Sequence, residues 1–136
     1  NIVTEDGEEL GKHNGLFNYT IGQRKGLGIA YKHPLYVIGF NGERNEVIVG
    51  PNDRLFTNRM ICKFYNFLDD TIHKELKAEG KIRYAANPSP CTARILDDDT
   101  MEVIFEEPQR AITPGQSVAF YNGTQLLGGA VIDRVC

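Results

Sequence analysis

The feature that most constrains the fold is a pair of β-branched and aromatic segments on either side of an Asn-Gly turn. Residues 35–40 read LYVIGF, Asn41-Gly42 follows, and 46–50 return as EVIVG before Pro51. Val, Ile, Tyr and Phe favour strands, and Asn-Gly between two such segments is a strong hairpin signal. The sequence therefore predicts an antiparallel hairpin over 35–50.

Further strand candidates recur at intervals of about ten residues, separated by Gly, Pro and Asp turns. They lie at 59–67, 78–84, 91–96, 101–105, 117–121 and 126–135, with an Asp97-Asp98-Asp99 turn and a second turn at Asn122-Gly123. Many short, evenly spaced strands are typical of a small antiparallel barrel. With a junction at 52–58, the chain is predicted to be mainly β: a small β-rich module at 1–57, followed by a small antiparallel β-barrel at 58–136.

Two segments are open to more than one interpretation. Residues 1–16 are polar and glycine-containing, which fits either a loop or an edge hairpin. Leu68, Ile72 and Leu76 have helical spacing, and Asp69 or Asp70 could cap a short helix there, although a long loop is the alternative.

Length, charge and cysteine content limit the protein class. The chain has 136 residues, a net charge of −3 and no signal peptide, and no apolar run approaches the length of a membrane span. Three widely spaced cysteines, Cys62, Cys91 and Cys136, argue against a disulfide framework and are predicted to be buried and structural. These features favour a cytoplasmic protein without a membrane partner.

A basic, glycine-rich segment departs from the acidic composition. Gly22, Gly26 and Gly28 surround Gln23-Arg24-Lys25, and no acidic residue occurs between Gly11 and Gly42. Glycine allows a tight loop and close approach of a ligand. Local positive charge in an acidic chain favours an anionic partner, most simply a phosphate backbone. A solvated loop with ordinary surface cations is the alternative.

Several familiar sites are excluded by spacing. Gly22 and Gly26 are too close together for a nucleotide-binding loop, and Gly26-Leu27-Gly28 lacks the third glycine of a dinucleotide fingerprint. His73 and Cys91 mimic half of a zinc deaminase signature, but Arg94 stands where the second cysteine belongs. No metal site is predicted. His13 could donate to a phosphate or an oxyanion, or it is a loop histidine without a role.

Several unusual segments occur in the order of one known family over nearly the whole chain. They are GKHNG at 11–15, YTIGQRKGLG at 19–28, NEVIVG at 45–50, PQRAITPGQS at 108–117, FYNG at 120–123 and LGGAVI at 127–132. In these segments the chain resembles the bacterial tRNA-specific 2-thiouridylases.

The resemblance implies an activity that needs more than these residues. The family uses ATP to adenylate C2 of the wobble uridine of certain tRNAs, and a cysteine persulfide then delivers the sulfur. Its members have an N-terminal ATP-pyrophosphatase domain, which uses ATP and Mg²⁺, a central domain and a C-terminal β-barrel. This chain resembles the last two. The resemblance thus implies no catalytic residue here, no thiolation by this chain alone, and as partners tRNA, the N-terminal catalytic domain and a sulfur-carrier protein.

The resemblance also assigns RNA contacts. Gln23, Arg24 and Lys25 are expected on the tRNA side of the central domain, with Gly22, Gly26 and Gly28 shaping the loop and His13 nearby. Arg83 and Arg110 are expected to grip the anticodon arm from the barrel. A salt bridge from Arg110 to Glu106 or Glu107 is the alternative, and Ala85 stands where the family often has a second arginine after Arg83-Tyr84.

Two other functions stay open at this point. A stand-alone barrel that binds RNA or protein needs no partner domain. A small independent enzyme would use His13 and a carboxylate.

Overall fold

The computed structural model describes residues 1–68, 74–82 and 87–136. The chain divides into two compact units, Asn1–Phe56 and Thr57–Cys136. The first is built on a small mixed sheet and the second on a closed six-stranded antiparallel barrel. The predicted fold class, a β-rich module followed by a β-barrel, is confirmed.

The first unit contains a four-stranded sheet in the order β2-β1-β4-β3. Its strands are β1 (Ile2–Thr4), β2 (Glu9–Gly11), β3 (Tyr36–Asn41) and β4 (Glu46–Gly50), with 3-10 turns at Leu16–Asn18 and Asn52–Leu55. Strands β1 and β2 form an antiparallel edge hairpin, one of the two interpretations open for residues 1–16, and β1 also pairs in parallel with β4. The buried core consists of Ile2, Leu27, Leu35, Val37, Val47 and Val49.

The predicted hairpin is confirmed as β3 and β4, which pair antiparallel. Its turn is longer than the Asn41-Gly42 signal suggests, because β4 begins only at Glu46. Asn45, with φ +53°, takes the left-handed conformation. Asparagine is one of the few residues that tolerate this region, so the turn uses Asn45 for that purpose.

The barrel strands follow each other around the closed sheet in the order β10-β5-β8-β7-β6-β9. They are β5 (Phe56–Phe67), β6 (Glu75–Lys81), β7 (Ser89–Ile95), β8 (Thr100–Arg110), β9 (Ser117–Asn122) and β10 (Gln125–Val135). Alternate residues fill the interior, as Met101, Val103 and Phe105 do on β8. This period of two places the intervening side chains on the outer surface of the barrel.

The predicted helix around Leu76 is wrong where the structure describes it. Leu76 lies on β6, pairs with Ala93 and packs against the barrel core. Ile72 and the two candidate caps, Asp69 and Asp70, lie outside the described residues. The cause is the spacing itself, since two residues four apart share a face in a strand as well as in a helix.

Strand lengths also differ from the prediction. The strand predicted at 78–84 begins earlier, at Glu75, and the one predicted at 101–105 extends to Arg110 through Pro108. The acidic triplet is a turn, as predicted: an Asp97 carboxylate oxygen accepts hydrogen bonds from the backbone N–H groups of Asp99 (2.9 Å) and Thr100 (2.8 Å).

Candidate nucleic-acid interface

The glycine-rich loop, residues 19–28, is fixed to the sheet by backbone hydrogen bonds. A turn closes between the Gln23 N–H and the Thr20 carbonyl (3.0 Å), with Gly22 at φ +91°. The Gly22 N–H donates to the Val37 carbonyl (2.7 Å), and the Val37 N–H donates to the Gln23 carbonyl (2.9 Å). Since a side chain at φ +91° is strained, glycine is the residue that this turn requires.

The Gln23 side chain braces the loop from within. Its Oε1 accepts a hydrogen bond from the Thr20 N–H (3.0 Å), and its Nε2 donates to the Lys25 carbonyl (2.9 Å). One amide therefore holds the backbone on both sides of Arg24. Gln23 is expected on the tRNA side of the central domain, and within the protein its amide has a positioning role in the loop.

Two cations extend from this braced loop. Arg24 and Lys25 are both exposed, and neither has a salt-bridge or side-chain hydrogen-bond partner among the residues that the structure describes. Gly26 (φ +77°) and Gly28 (φ +68°) turn the chain after them, and Leu27 between the glycines is buried in the core. The loop thus presents two uncompensated positive charges from a backbone that is anchored at both ends.

An open groove of about 500 Å³ runs along the segment that follows the loop. Arg24, Lys32 and His33 line it together with Tyr31, which is 36% exposed. Tyr31 contacts the His33 ring edge-on (4.9 Å between centroids), and the Lys32 ammonium lies 5.8 Å from the Tyr31 ring centroid. Cations beside a partly exposed aromatic ring suit a nucleotide, whose phosphate and base need different partners.

His13 ties the preceding loop to the β3–β4 turn. Its Nδ1 accepts a hydrogen bond from the Gly15 N–H (2.9 Å), and Nε2 lies 2.6 Å from the Asn45 carbonyl oxygen. Because Nδ1 accepts, the neutral ring carries its proton on Nε2, which donates to Asn45. Both ring nitrogens of this predicted RNA contact are therefore engaged within the protein.

The two predicted contacts on the barrel are placed less directly. Arg83 lies outside the described residues. Arg110 is half-buried at the end of β8 and already takes part in an interaction within the protein. Neither residue belongs to the glycine-rich loop.

Comparison with known proteins decides the family. The family model described as the aminomethyltransferase beta-barrel domain matches residues 57–132, and the tRNA methyl transferase PRC-barrel domain matches residues 1–51. A tRNA-specific 2-thiouridylase of Clostridioides difficile is 46% identical over 134 residues, which are 98% of this chain. The chain belongs to the tRNA-specific 2-thiouridylase family.

The relatives have nearly the same sequence identity to this chain, and in each of them the match covers only part of the protein. The 2-thiouridylases of Clostridium botulinum (strain Alaska E43) and Geobacter metallireducens are both 45% identical, over 99% and 97% of this chain. The chain spans 37% of the length of the C. difficile 2-thiouridylase and 38% and 36% of the other two. As a member of this family, the chain is similar to one portion of longer proteins.

The cysteines of this family member differ in exposure. Cys62 and Cys91 are buried, as predicted, and burial raises the pKa of each thiol to about 12. The prediction is wrong for Cys136, which is exposed. A thiol whose pKa is about 12 is almost entirely protonated at neutral pH, so Cys62 and Cys91 are unsuited to nucleophilic attack.

One charged cluster on the barrel was not predicted from the sequence. Glu102 on β8 is buried and pairs with Arg59 on β5 and Arg94 on β7. These residues are far apart along the chain, and only the strand register brings them together. The sequence hints at this cluster only through Glu102, a carboxylate between Met101 and Val103 in a part of β8 that is otherwise apolar.

Over the described ranges, no three or more His, Cys, Asp or Glu side chains gather in a group that could hold a metal ion. The same part of the chain contains no helix with the length and hydropathy needed to cross a bilayer.

Proposed function

We propose that this chain is the tRNA-binding part of an ATP-dependent tRNA-uridine 2-sulfurtransferase, and that the glycine-rich loop contacts the tRNA backbone. The observation that carries the proposal is the exposure of Arg24 and Lys25 on a loop braced by Gln23. Cations on a braced loop suit phosphates because less backbone freedom is lost on binding. The curated relatives are named tRNA-specific 2-thiouridylases, which makes tRNA the anion of choice.

In this proposal the two segments have different tasks. The central module, residues 1–57, presents the loop and the adjacent groove, where Tyr31 offers a stacking face beside Lys32. Phosphate contacts would fix the position of the tRNA without reading its sequence. The barrel, residues 58–136, adds the contacts assigned to Arg83 and Arg110 on the anticodon arm.

The chemistry of sulfur transfer is assigned to the rest of the enzyme. ATP and Mg²⁺ would act in the N-terminal ATP-pyrophosphatase domain, which would also receive sulfur from a carrier protein. The glycine-rich loop does not fit ATP, because the N–H groups of Gly22 and Gln23 already donate to Val37 and Thr20. With Cys62 and Cys91 buried, these 136 residues are expected to form no 2-thiouridine alone.

The geometry of His13 lends no support to an independent enzyme. Its ring nitrogens bond to the backbone at Gly15 and Asn45, which leaves neither nitrogen for a carboxylate partner or a substrate. A stand-alone RNA-binding barrel differs from our proposal in placing the whole RNA affinity in residues 58–136.

A salt-dependent titration with tRNA tests the proposal. Wild type is compared with Arg24→Ala/Lys25→Ala, and the matched control Arg44→Ala/Lys74→Ala removes two exposed cations elsewhere. If each loop cation neutralises one phosphate, the slope of log K against log salt should become less steep by about 1.5 in the double variant. Its affinity at ~0.1 M salt should then be roughly 25- to 60-fold weaker than that of the wild type.

Three results are informative. A loss in the loop variant that exceeds the loss in the control supports the proposal. Equal losses in both variants would mean that only overall charge matters. Wild-type binding that is insensitive to the loop variant would assign the RNA contact to the barrel, as in the stand-alone alternative.

A further inference from the structure

We propose that Arg59, Glu102 and Arg94 form a phosphate-binding site for RNA on the outer surface of the barrel. This inference rests on the proposed function, because it takes tRNA as the partner. It concerns residues other than those of the glycine-rich loop and other than Arg83 and Arg110.

The three residues come from adjacent strands of the barrel, in the order β5-β8-β7. Glu102 is directly opposite Arg94 in the β7–β8 register. Its Oε1 accepts a hydrogen bond from Arg94 Nη2 (2.9 Å), and its Oε2 accepts one from Arg59 Nε (2.7 Å) and forms an ion pair with Arg59 Nη2 (2.5 Å). One carboxylate therefore holds two guanidinium groups side by side.

Burial and charge show which groups remain available. The Glu102 side chain is only 7% exposed, whereas those of Arg59 and Arg94 are 49% and 59% exposed. Arg59, Arg94 and Glu102 together sum to one positive charge. Two further acidic groups lie beside them: Glu75 is opposite Arg94 in the β6–β7 register, and Cys136 places negative charge near Arg59. The carboxylate beneath offsets the repulsion between the guanidinium groups and limits their movement.

The remaining donors suit a phosphate. In the part of the chain that the structure describes, the Arg94 guanidinium makes a single hydrogen bond, to Glu102. Guanidinium groups carry several N–H donors in a planar fork that matches the oxygens of a phosphate. Two such groups held at a fixed separation can bind one phosphodiester without losing much side-chain freedom.

A purely stabilising role is the alternative explanation of the cluster. Buried ion pairs often contribute little net stability, because desolvation offsets the attraction. The two explanations differ in what happens when Glu102 loses its charge. Glu102→Gln raises the net charge by one, so simple electrostatics predicts tighter RNA binding, whereas a site organised by Glu102 loses affinity.

The test uses tRNA titrations of the 136-residue protein at several salt concentrations. Arg94→Ala is expected to weaken binding about tenfold and to lower the salt slope by about 1. Arg94→Lys keeps the charge but not the fork and is expected to weaken binding roughly threefold, as is Glu102→Gln. Arg44→Ala, an exposed cation elsewhere, is the matched control.

Circular dichroism and thermal unfolding of each variant separate binding from folding. If Glu102→Gln does not fold, the exposed and conservative Arg94→Lys variant decides the matter. Full affinity in both Arg94→Lys and Arg94→Ala would overturn the proposed site, as would tighter binding by folded Glu102→Gln.

The loop and barrel variants also distinguish this proposal from the preceding one. Loss only in Arg24→Ala/Lys25→Ala overturns the barrel site and leaves the loop contact. Loss of affinity only in the Arg94 variants supports the barrel site and overturns the proposed RNA contact of the glycine-rich loop. Absence of tRNA binding by the wild type overturns both.

Discussion

Replacing Gln23 with alanine removes the brace of the glycine-rich loop without changing its charge. The side chain makes two hydrogen bonds, with the Thr20 N–H and the Lys25 carbonyl. Each such bond contributes about 0.5–1.5 kcal/mol net, and because both backbone groups are exposed, water replaces part of that. We expect the loop to lose about 1–2 kcal/mol, which is roughly a 5- to 30-fold increase in its open population.

Amide hydrogen exchange measured by NMR reports this opening residue by residue. The Gly22 and Val37 amides, which donate across the loop, should exchange faster by that factor in Gln23→Ala, while amides in the barrel keep their rates. Gln125→Ala, at the exposed first residue of β10, is the control. RNA affinity should fall in Gln23→Ala although Arg24 and Lys25 are intact. Unchanged Gly22 and Val37 exchange together with lost affinity would refute the brace and indicate that Gln23 touches RNA directly.

Three further predictions concern stability and reactivity. Gly128→Ala should destabilise the barrel by about 3 kcal/mol or more in urea unfolding, because a Cβ there would lie 2.2 Å from a backbone oxygen of β5. A loss of unfolding free energy below about 1 kcal/mol would mean that the two strands separate easily to make room for the methyl group. At pH 8 a disulfide reagent should modify Cys136 rapidly and leave Cys62 and Cys91 until the protein is unfolded, since burial raises the pKa of both to about 12; rapid reaction at all three sites would contradict this. Backbone hydrogen bonds hold the pKa of Asp97 below its ordinary value of 3.8, so the ionised carboxylate stabilises the fold above that pH, and this contribution is lost as the pH falls through the lowered pKa. In Asp97→Asn the free energy of unfolding should therefore depend less on pH in the acid range. An unchanged pH dependence would count against the role of Asp97 in the turn.

Local chemistry explains what the sequence predicted correctly. The β3–β4 hairpin depends on neighbouring residues, because β-branched segments and a turn signal lie within a short stretch of chain. The barrel strands were predicted from their regular spacing and from the turn residues between them. Leu76 was misassigned because a spacing of four residues fits both a strand and a helix. The parallel pairing of β1 with β4 was not predicted, because it joins segments far apart in sequence.

In the candidate site, too, the locally determined features could be predicted and those that depend on tertiary structure could not. Gly22, Gly26 and Gly28 could be identified because their backbone conformations are required locally, and each has a positive φ. The partners of Gln23 are backbone groups a few residues away, and composition gives no sign of them. The Arg59–Glu102–Arg94 cluster depends on the register of three strands, which no short segment of the sequence determines.

The most direct test of the central claim is NMR mapping of the chain as an RNA hairpin with the anticodon-arm sequence is added at constant salt. We predict shifts of the backbone amides of Arg24, Lys25 and Gly26, with a saturating dependence on RNA concentration and little change at Arg44. RNA binding that leaves the amides of residues 19–28 unshifted would contradict the assignment of this loop as an RNA contact.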